Sequence, residues 1–199
     1  MRILPTVLIV PGIRDHVADH WQTHLTVQLS HMRAVCSVPP LGRNELSLAR
    51  RVHAIRSTLE WIEGPAIAIA HSGGVIALAH WAQQFSHDAV VGALLATPAD
   101  LETPLPEGYP MRGALEEHGW LPLPRTPLPF PSIVAISSND PLARPDRVAG
   151  LARAWGSDCV HLGAVGHLNP ASGFGPWPQA RALIEQLERR IQSASPALN

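Results

Sequence analysis

The sequence has no lysine, since all 15 of its basic residues are arginines. It therefore lacks the amine that a Schiff base requires and the lysine with which a Walker A loop holds nucleotide phosphates. Cysteine is also scarce, with only Cys36 and Cys159. Two cysteines are too few for a disulfide framework, and both lie in apolar runs. We therefore expect two small buried hydrophobic residues, compatible with a reducing compartment.

The sequence also lacks a strong charge imbalance and any long hydrophobic run. With 16 acidic and 15 basic residues its net charge is −1, which gives no indication of a nucleic-acid or membrane-surface partner. No apolar run approaches the length of a membrane span, and the first one, which ends at Pro11-Gly12, is too short for a signal peptide. The length of 199 residues and the hydrophobic share of 46% predict a single cytoplasmic domain over residues 1–199.

Short apolar runs alternate along the chain with segments of helical periodicity. The predicted strands are continuous apolar runs rather than alternations of polar and apolar residues, which is typical of parallel sheets covered by helices on both faces. They span residues 6–10, 34–38, 66–70, 89–96, 132–138 and 159–162. The sequence therefore predicts an α/β fold with about six parallel strands, whose ligand-binding loops gather at the carboxyl ends of the strands.

Residues 98–131 interrupt this alternation. The segment holds nine of the 20 prolines and only one short predicted helix, so we expect an irregular excursion over the surface. Two interpretations stay open: a small lid or pocket wall, or a wrap that only covers the edge of the sheet. The wall would be built from apolar side chains, namely Tyr109, Met111, Trp120, Leu121 and Leu123. Residues 193–199 are predicted to be a frayed tail.

One stretch, residues 66–78, joins a short apolar run to a longer one through a single serine in a small-residue turn. A strand that turns sharply into a helix through one serine is a nucleophile elbow. Gly74 provides the small flank two residues after Ser72, whereas Ala70 stands where the usual pattern has glycine. The N-terminus of the helix would also present free N–H groups to a developing oxyanion. An ordinary small-residue turn is the alternative interpretation.

The other groups that a serine nucleophile needs lie in two later loops. A serine hydroxyl requires a base within hydrogen-bond reach, and the base requires an orienting carboxylate. Asp140 follows the fifth predicted strand and His167 the sixth, which brings both to the same edge of the sheet as Ser72. The order Ser72, Asp140, His167 is the chain order of α/β-hydrolases. These three residues are therefore the candidate nucleophile, orienting acid and base.

Other acids and histidines fit these roles less well. Asp146 is predicted to be a helix N-cap, and Asp158 precedes the sixth strand at the wrong edge of the sheet. His161 lies inside that strand, and His71, beside the nucleophile, is expected to pack beneath the elbow.

An oxyanion hole needs two backbone N–H donors. We expect one from Gly73 and the other from Ile13, with Gly12 permitting a close approach of the backbone; the alternative for Gly12 is a plain strand terminator. A substrate pocket is expected next to these donors. Its predicted residues are Gly12, Trp21, Tyr109, Met111 and Trp120.

Three histidines, His16, His20 and His24, are spaced four residues apart, which on one helix would align them as metal ligands. No H-E-x-x-H arrangement accompanies them, and Pro11-Gly12 indicates that His16 still lies in a loop. We therefore expect loop-bracing or surface histidines, with no metal and no cofactor.

Four segments together resemble a small serine-hydrolase family that includes bacterial YdeN-like proteins and the retinoblastoma-binding serine hydrolase of animals. They are Val10-Pro11-Gly12 followed by Asp19-His20-Trp21-Gln22, the elbow Ala70-His71-Ser72-Gly73-Gly74, Ser137-Ser138-Asn139-Asp140-Pro141, and the string from Gly166 to Pro178, which is the most specific. The resemblance implies a minimal α/β-hydrolase fold with no large cap domain. It also implies Ser72 as nucleophile, Asp140 as orienting acid, His167 as base, and activity on small esters. No Leu-x-Cys-x-Glu motif is present, so retinoblastoma-type binding is not implied.

The sequence thus predicts a serine hydrolase that cleaves a small carboxylic ester through an acyl-enzyme intermediate. Amide or thioester hydrolysis and acyl transfer would use the same three residues, and a low-turnover binding protein on the same fold is a further alternative. The predicted partner is a small-molecule ester. The acyl chain length, the leaving group and the oligomeric state are not indicated.

Overall fold

Six strands form one sheet in the computed structural model, which describes residues 4–14, 17–85 and 89–194. The strands are β1 (Thr6–Val10), β2 (Val35–Ser37), β3 (Ala66–His71), β4 (Val90–Ala96), β5 (Ser132–Ile136) and β6 (Asp158–His161). The helices in these ranges are α1 (Trp21–Ser30), α2 (Leu48–Glu60), α3 (Gly73–Gln84), α4 (Arg112–Glu117), α5 (Pro145–Trp155) and α6 (Gln179–Ala194), with a 3₁₀ turn at Pro170–Ser172. None of these described helices combines the length and the apolar character that crossing a membrane requires.

The strand order across the sheet is β2-β1-β3-β4-β5-β6, and every neighbouring pair is parallel, which confirms the predicted architecture. The chain places β2 on one side of β1 and then crosses to the other side for β3. The connections therefore diverge between β1 and β3 and leave a crevice at their carboxyl ends, where ligands bind in such sheets. Val10 at the end of β1 pairs with Ala70 of β3, so the crevice opens beside the residues that follow them.

Helices cover both faces of the sheet, as the continuous apolar strands predicted. Side chains of α2, α3 and α5 form the core on one face, and those of α1 and α6 form the core on the other. Along β3, Ala66, Ala68 and Ala70 belong to the first core, and Ile67 and Ile69 belong to the second. The small alanine side chains leave room for α3 to lie close to the sheet, directly after the turn that begins it.

Residues 98–131 pack in two different ways. Leu115 and Trp120 are buried in the core on the α3 side, and Trp120 Nε1 donates a 2.6 Å hydrogen bond to the Leu46 carbonyl. Leu105 and Tyr109, earlier in the segment, are half-buried and line a cavity. The later part therefore wraps over the helices, and the earlier part lies where a pocket wall would be.

The two cysteines are less buried than expected. Cys36 is partly buried and Cys159 is exposed, so the prediction of two buried residues is wrong. Both lie on the strands at the two edges of the sheet, β2 and β6. An apolar run on an edge strand does not imply full burial, because fewer neighbours cover it.

A buried ion pair joins α6 to the segment that leads into β2. Arg33 Nη1 lies 2.5 Å from Glu188 Oε1, and the two side chains are 8% and 10% exposed. We predict that Glu188→Gln lowers the free energy of unfolding by about 3–5 kcal/mol, because the Arg33 guanidinium would stay buried without its counter-charge. Urea denaturation measures this loss. In the exposed pair Arg56–Glu60, Glu60→Gln should cost about 0.5 kcal/mol or less, and equal losses in the two variants would contradict the prediction.

Candidate active site

Ser72 occupies the sharp turn between β3 and α3. Its backbone has φ 56° and ψ −128°, a conformation that is strained for a residue other than glycine and that persists only where the surroundings impose it. The surroundings here are backbone atoms: a β-carbon on Gly74 would lie 2.4 Å from the Pro11 carbonyl oxygen. Glycine is therefore required at position 74. Ala70 is fully buried within β3, and its methyl group forms part of the core.

The side chains of Ser72, His167 and Asp140 form one continuous hydrogen-bonded chain. Ser72 Oγ lies 2.8 Å from His167 Nε2, and His167 Nδ1 lies 2.8 Å from Asp140 Oδ2 and 3.0 Å from Oδ1. The side chains of His167 and Asp140 are only 4% and 2% exposed. The Leu142 N–H donates a further 2.8 Å bond to Asp140 Oδ1. In this chain His167 Nδ1–H donates a hydrogen bond to the Asp140 carboxylate, and Nε2 accepts the hydrogen bond of the Ser72 hydroxyl.

The loop after β6 fixes the position of His167. Gly166 has φ +55°, and a β-carbon on it would lie 2.5 Å from Ser172 Cβ, so the loop folds tightly over itself. Ser172 Oγ accepts a 3.0 Å hydrogen bond from the His167 N–H. Asn139 Oδ1 accepts a 2.7 Å bond from the Gly166 N–H and ties this loop to the one after β5. The small and polar residues around His167 therefore serve to hold its backbone.

His71, directly before the turn, contacts His167 from the buried side. Its Nε2–H donates a 3.0 Å hydrogen bond to the His167 carbonyl oxygen, to which Thr97 Oγ1 also donates at 3.4 Å. Burial, reinforced by the neighbouring imidazoles of His167 and His20, holds the pKa of His71 well below its usual value. His71 is therefore neutral at pH 7 and places no positive charge beside His167.

The loop at Ile13 packs against Gly73, the residue that follows Ser72. A β-carbon on Gly73 would lie 2.7 Å from Ile13 Cγ1 and 3.6 Å from the Ile13 nitrogen. Gly12 allows this approach, because a β-carbon there would lie 3.2 Å from Ser72 Cβ. Within the described ranges, neither the Gly73 N–H nor the Ile13 N–H donates to another protein group. Both N–H groups therefore remain available as hydrogen-bond donors.

A cavity of about 290 Å³ opens beside Ser72 and His167. Of the residues predicted to form a pocket, Gly12 and Tyr109 line it, and so does Ile13. The loops after β4 and β5 supply an apolar part of its wall, consisting of Leu101, Leu105, Tyr109 and Leu142.

Trp21, Met111 and Trp120 do not line this cavity in the described structure, so the prediction is wrong for these three residues. Trp21 is fully buried, with its ring edge-on to those of His71 and Trp177. Trp120 is also fully buried, and Met111 is 79% exposed ahead of α4. A large apolar side chain has the same appearance in the sequence whether it fills a core, lines a pocket or faces solvent.

The competing carboxylates and histidine lie elsewhere. Asp146 is in the first turn of α5 and pairs with Arg144, which is the N-cap residue in its place. Asp158 is the first residue of β6, so it lies at the amino ends of the strands, away from Ser72. It forms an ion pair with Arg190. His161 is exposed at the end of β6. In the described structure none of them is hydrogen-bonded to the Ser72 hydroxyl.

Of the three evenly spaced histidines, His16 lies outside the described residues. His20 Nδ1 accepts a 3.2 Å hydrogen bond from the Gln22 N–H and caps α1, and His24 Nε2 lies 2.9 Å from Asp19 Oδ1. Residues 4–14, 17–85 and 89–194 contain no group of three or more His, Cys, Asp or Glu side chains arranged to hold a metal ion.

The contact between Gly74 and Pro11 gives a direct test of the turn. We predict that Gly74→Ala lowers the free energy of unfolding by about 3 kcal/mol, because the added methyl group must displace backbone atoms. Thermal unfolding followed by circular dichroism measures the change. Gly113→Ala is the matched control: Gly113 lies in α4 with open space around it, so alanine should stabilise the protein by up to about 1 kcal/mol. A Gly74→Ala variant as stable as the wild type would contradict the prediction.

Solved structures with the same fold include proteins described as hydrolases. A YdeN-like hydrolase from Pectobacterium atrosepticum is 31% identical, and the match covers 94% of this chain and 91% of that chain with a TM-score of 0.77. The ydeN gene product from B. subtilis is 15% identical, covers 94% and 100% of the two chains, and has a TM-score of 0.75. A thermophilic esterase from Thermogutta terrifontis is also 15% identical, covers 95% and 91%, and has a TM-score of 0.61. At this identity the last two show the fold alone.

The sequence itself matches a family model. The model is described as serine hydrolase and matches residues 7–186. Comparison with curated protein sequences finds no match. The described residues form the α/β-hydrolase fold with no large cap domain, and the chain belongs to the serine hydrolase family.

Proposed function

We propose that this serine hydrolase cleaves small carboxylic esters, with Ser72 as nucleophile, His167 as general base and Asp140 as the orienting acid. The observation that carries the proposal is the unbroken chain of 2.8 Å contacts from the Asp140 carboxylate through His167 to Ser72 Oγ. The order of groups in this chain suits proton transfer, because the carboxylate stabilises the imidazolium that forms when the hydroxyl proton reaches Nε2. Ser72 also lines the cavity in which a substrate would lie.

The reaction would proceed in two halves. His167 Nε2 takes the Ser72 proton while Oγ attacks the ester carbonyl carbon, and the N–H groups of Gly73 and Ile13 hold the resulting oxyanion. Collapse of the tetrahedral intermediate breaks the C–O bond to the alcohol, which leaves with the proton from His167. Water then gives a proton to His167 and attacks the acyl-enzyme; the acid is released as Ser72 regains its proton. Asp140 orients the imidazole through Nδ1–H and takes no part in the proton transfers.

The cavity favours a small substrate with an apolar part. Its volume of about 290 Å³ is at the lower end of the range of ligand pockets. The apolar wall at Leu101, Leu105 and Leu142 suits the hydrocarbon part of an acyl group or an alcohol. Among the structural neighbours, the Thermogutta terrifontis protein is an esterase, and a protein from Butyrivibrio proteoclasticus has ferulic acid bound. These observations support a small-molecule ester as the partner.

Removal of the nucleophile tests the proposal. We predict that Ser72→Ala reduces hydrolysis of a 4-nitrophenyl ester by about 10⁴-fold or more and abolishes labelling by a fluorophosphonate probe, because the acyl-enzyme can no longer form. Ser138→Ala is the control: Ser138 is exposed at the same edge of the sheet, and both readouts should be unchanged. Turnover that persists in Ser72→Ala would refute the assignment.

A further inference from the structure

The rim of the cavity carries two arginines with no carboxylate partner among the described residues. Arg14 and Arg43 both line the cavity that holds Ser72, and neither forms an ion pair within the described ranges. Asp19 is the only described carboxylate in the cavity wall, and it lies 2.9 Å from His24 Nε2. The described wall therefore carries more positive than negative charge.

Arg14 is held in a defined orientation. Its guanidinium carbon lies 3.9 Å from the centroid of the Tyr109 ring, and Nη2 donates a 2.6 Å hydrogen bond to the Gly108 carbonyl. These contacts occupy one face and one N–H of the guanidinium, which has four further N–H donors. Because Tyr109 itself lines the cavity, the stacked arginine is presented at the rim.

We propose that the substrate carries an anionic group, such as a carboxylate, which Arg14 and Arg43 bind while the ester carbonyl lies at Ser72. This rests on the proposed ester hydrolysis and specifies its substrate class. A guanidinium stays charged at all relevant pH values and presents paired N–H donors that match a carboxylate. The apolar wall at Leu105 and Leu142 would contact the carbon skeleton of the same molecule.

Two pairs of esters test whether the enzyme prefers an anionic substrate. The members of each pair have similar shapes and differ in charge, one pair on the alcohol side of the scissile bond and the other on the acyl side. On the alcohol side, 4-acetoxybenzoate is compared with methyl 4-acetoxybenzoate; on the acyl side, mono-4-nitrophenyl glutarate is compared with 4-nitrophenyl pentanoate. Because the members of a pair differ in intrinsic reactivity, the informative quantity is the change in their kcat/KM ratio between proteins. We expect the anionic-to-neutral ratio of one pair to fall about tenfold in the double variant Arg14→Gln/Arg43→Gln, as loss of a charge-assisted hydrogen bond predicts.

Arg112→Gln supplies the matched control. Arg112 is an exposed residue of α4 and does not line the cavity, so its substitution should leave both ratios unchanged. The proposed anion site would be wrong if the anionic-to-neutral kcat/KM ratio of both ester pairs changed less than twofold in the double variant. Ester hydrolysis would still stand in that case. Absence of Ser72-dependent turnover of any of the four esters by the wild type would instead refute the proposed function.

A second, independent observation concerns the support of Asp140. Asp100, which follows β4, is 2% exposed, and its carboxylate accepts two hydrogen bonds from Arg147 of α5, at 2.8 and 3.1 Å. The Asp100 N–H donates a 3.0 Å bond to the Leu142 carbonyl. The Leu142 N–H in turn donates the 2.8 Å bond to Asp140 Oδ1. A bidentate ion pair, with a buried carboxylate and a partly exposed guanidinium, thus anchors the residue whose N–H is bonded to the Asp140 carboxylate.

We infer that Asp100 and Arg147 are positioning residues that set the orientation of Asp140, an inference that also rests on the proposed function. The pair links the loop after β4 to α5, and Leu142 lies between that link and the carboxylate. Glu102 Oε2 lies 2.6 Å from Arg147 Nη2 and holds the guanidinium from a further side. A displaced Asp140 would stabilise the His167 imidazolium less well, which affects the chemical step more than substrate binding.

Asp100→Asn keeps the size of the side chain and removes the charge that holds Arg147. We expect kcat for a 4-nitrophenyl ester to fall about tenfold with KM changed less than twofold. Asp146→Asn is the matched control, because Asp146 also pairs with an arginine at α5 but is exposed and has no link to Asp140 in the described structure. It should change neither constant.

The double variant Asp100→Asn/Asp140→Asn distinguishes positioning from general destabilisation. With the Asp140 charge already removed, Asp100→Asn should lower kcat by less than a further twofold, because the carboxylate that Asp100 positions is no longer present. A full tenfold loss in that background, or an effect confined to KM, would overturn the inference. Absence of wild-type turnover would count against ester hydrolysis itself.

Discussion

The close contact between the loop after β1 and the turn at Ser72 is the constraint on which the whole site depends. Gly12 lies against Ser72, and Gly74 lies against the Pro11 carbonyl. The buried side chain of Gln22 adds to this, because its Nε2 donates hydrogen bonds of 3.1 and 2.9 Å to one carbonyl of β1 and one of β3 near the strand ends. With the two strand ends fixed to each other, the turn has no room to relax into an ordinary conformation. The same approach places Ile13 against Gly73, the residue after the serine.

The electrostatic surroundings of His167 differ between its ring and its backbone. The Asp140 carboxylate faces Nδ1, whereas the neutral ring of His71 holds the carbonyl oxygen of His167. The centroids of the His71 and His167 rings are only 4.9 Å apart, so a charged His71 would oppose the formation of an imidazolium on its neighbour. Because burial lowers the pKa of His71, its ring stays neutral and adds no repulsion beside the proposed base.

The sheet could be predicted from the sequence because continuous apolar runs that end in Gly, Pro, Asn or Asp mark buried parallel strands and the loops at their carboxyl ends. The predicted carboxyl ends of the strands also indicated that the loops after β3, β5 and β6 lie together. In the structure the Ser72, Asp140 and His167 side chains of these loops are in contact. The cavity wall was harder to predict, since Trp21 and Trp120 fill cores instead. The pairing of Asp100 with Arg147 could not be predicted from the sequence, because the two residues are 47 positions apart and neither belongs to a recognisable motif.

The loop after β4 performs two tasks with neighbouring residues. Ala99 and Leu101 line the cavity, while the side chain of Asp100 between them is bonded to Arg147. One short segment therefore supplies part of the wall for a substrate and the anchor that holds the loop carrying Asp140. A substitution in this wall that moves the backbone would also move Asp100, so the proposed anchor of Asp140 and this part of the cavity wall are structurally linked. The two arginines that line the cavity share no hydrogen bond with Asp140 in the described structure, so the proposed anion site and the anchor of the carboxylate are separate sets of contacts.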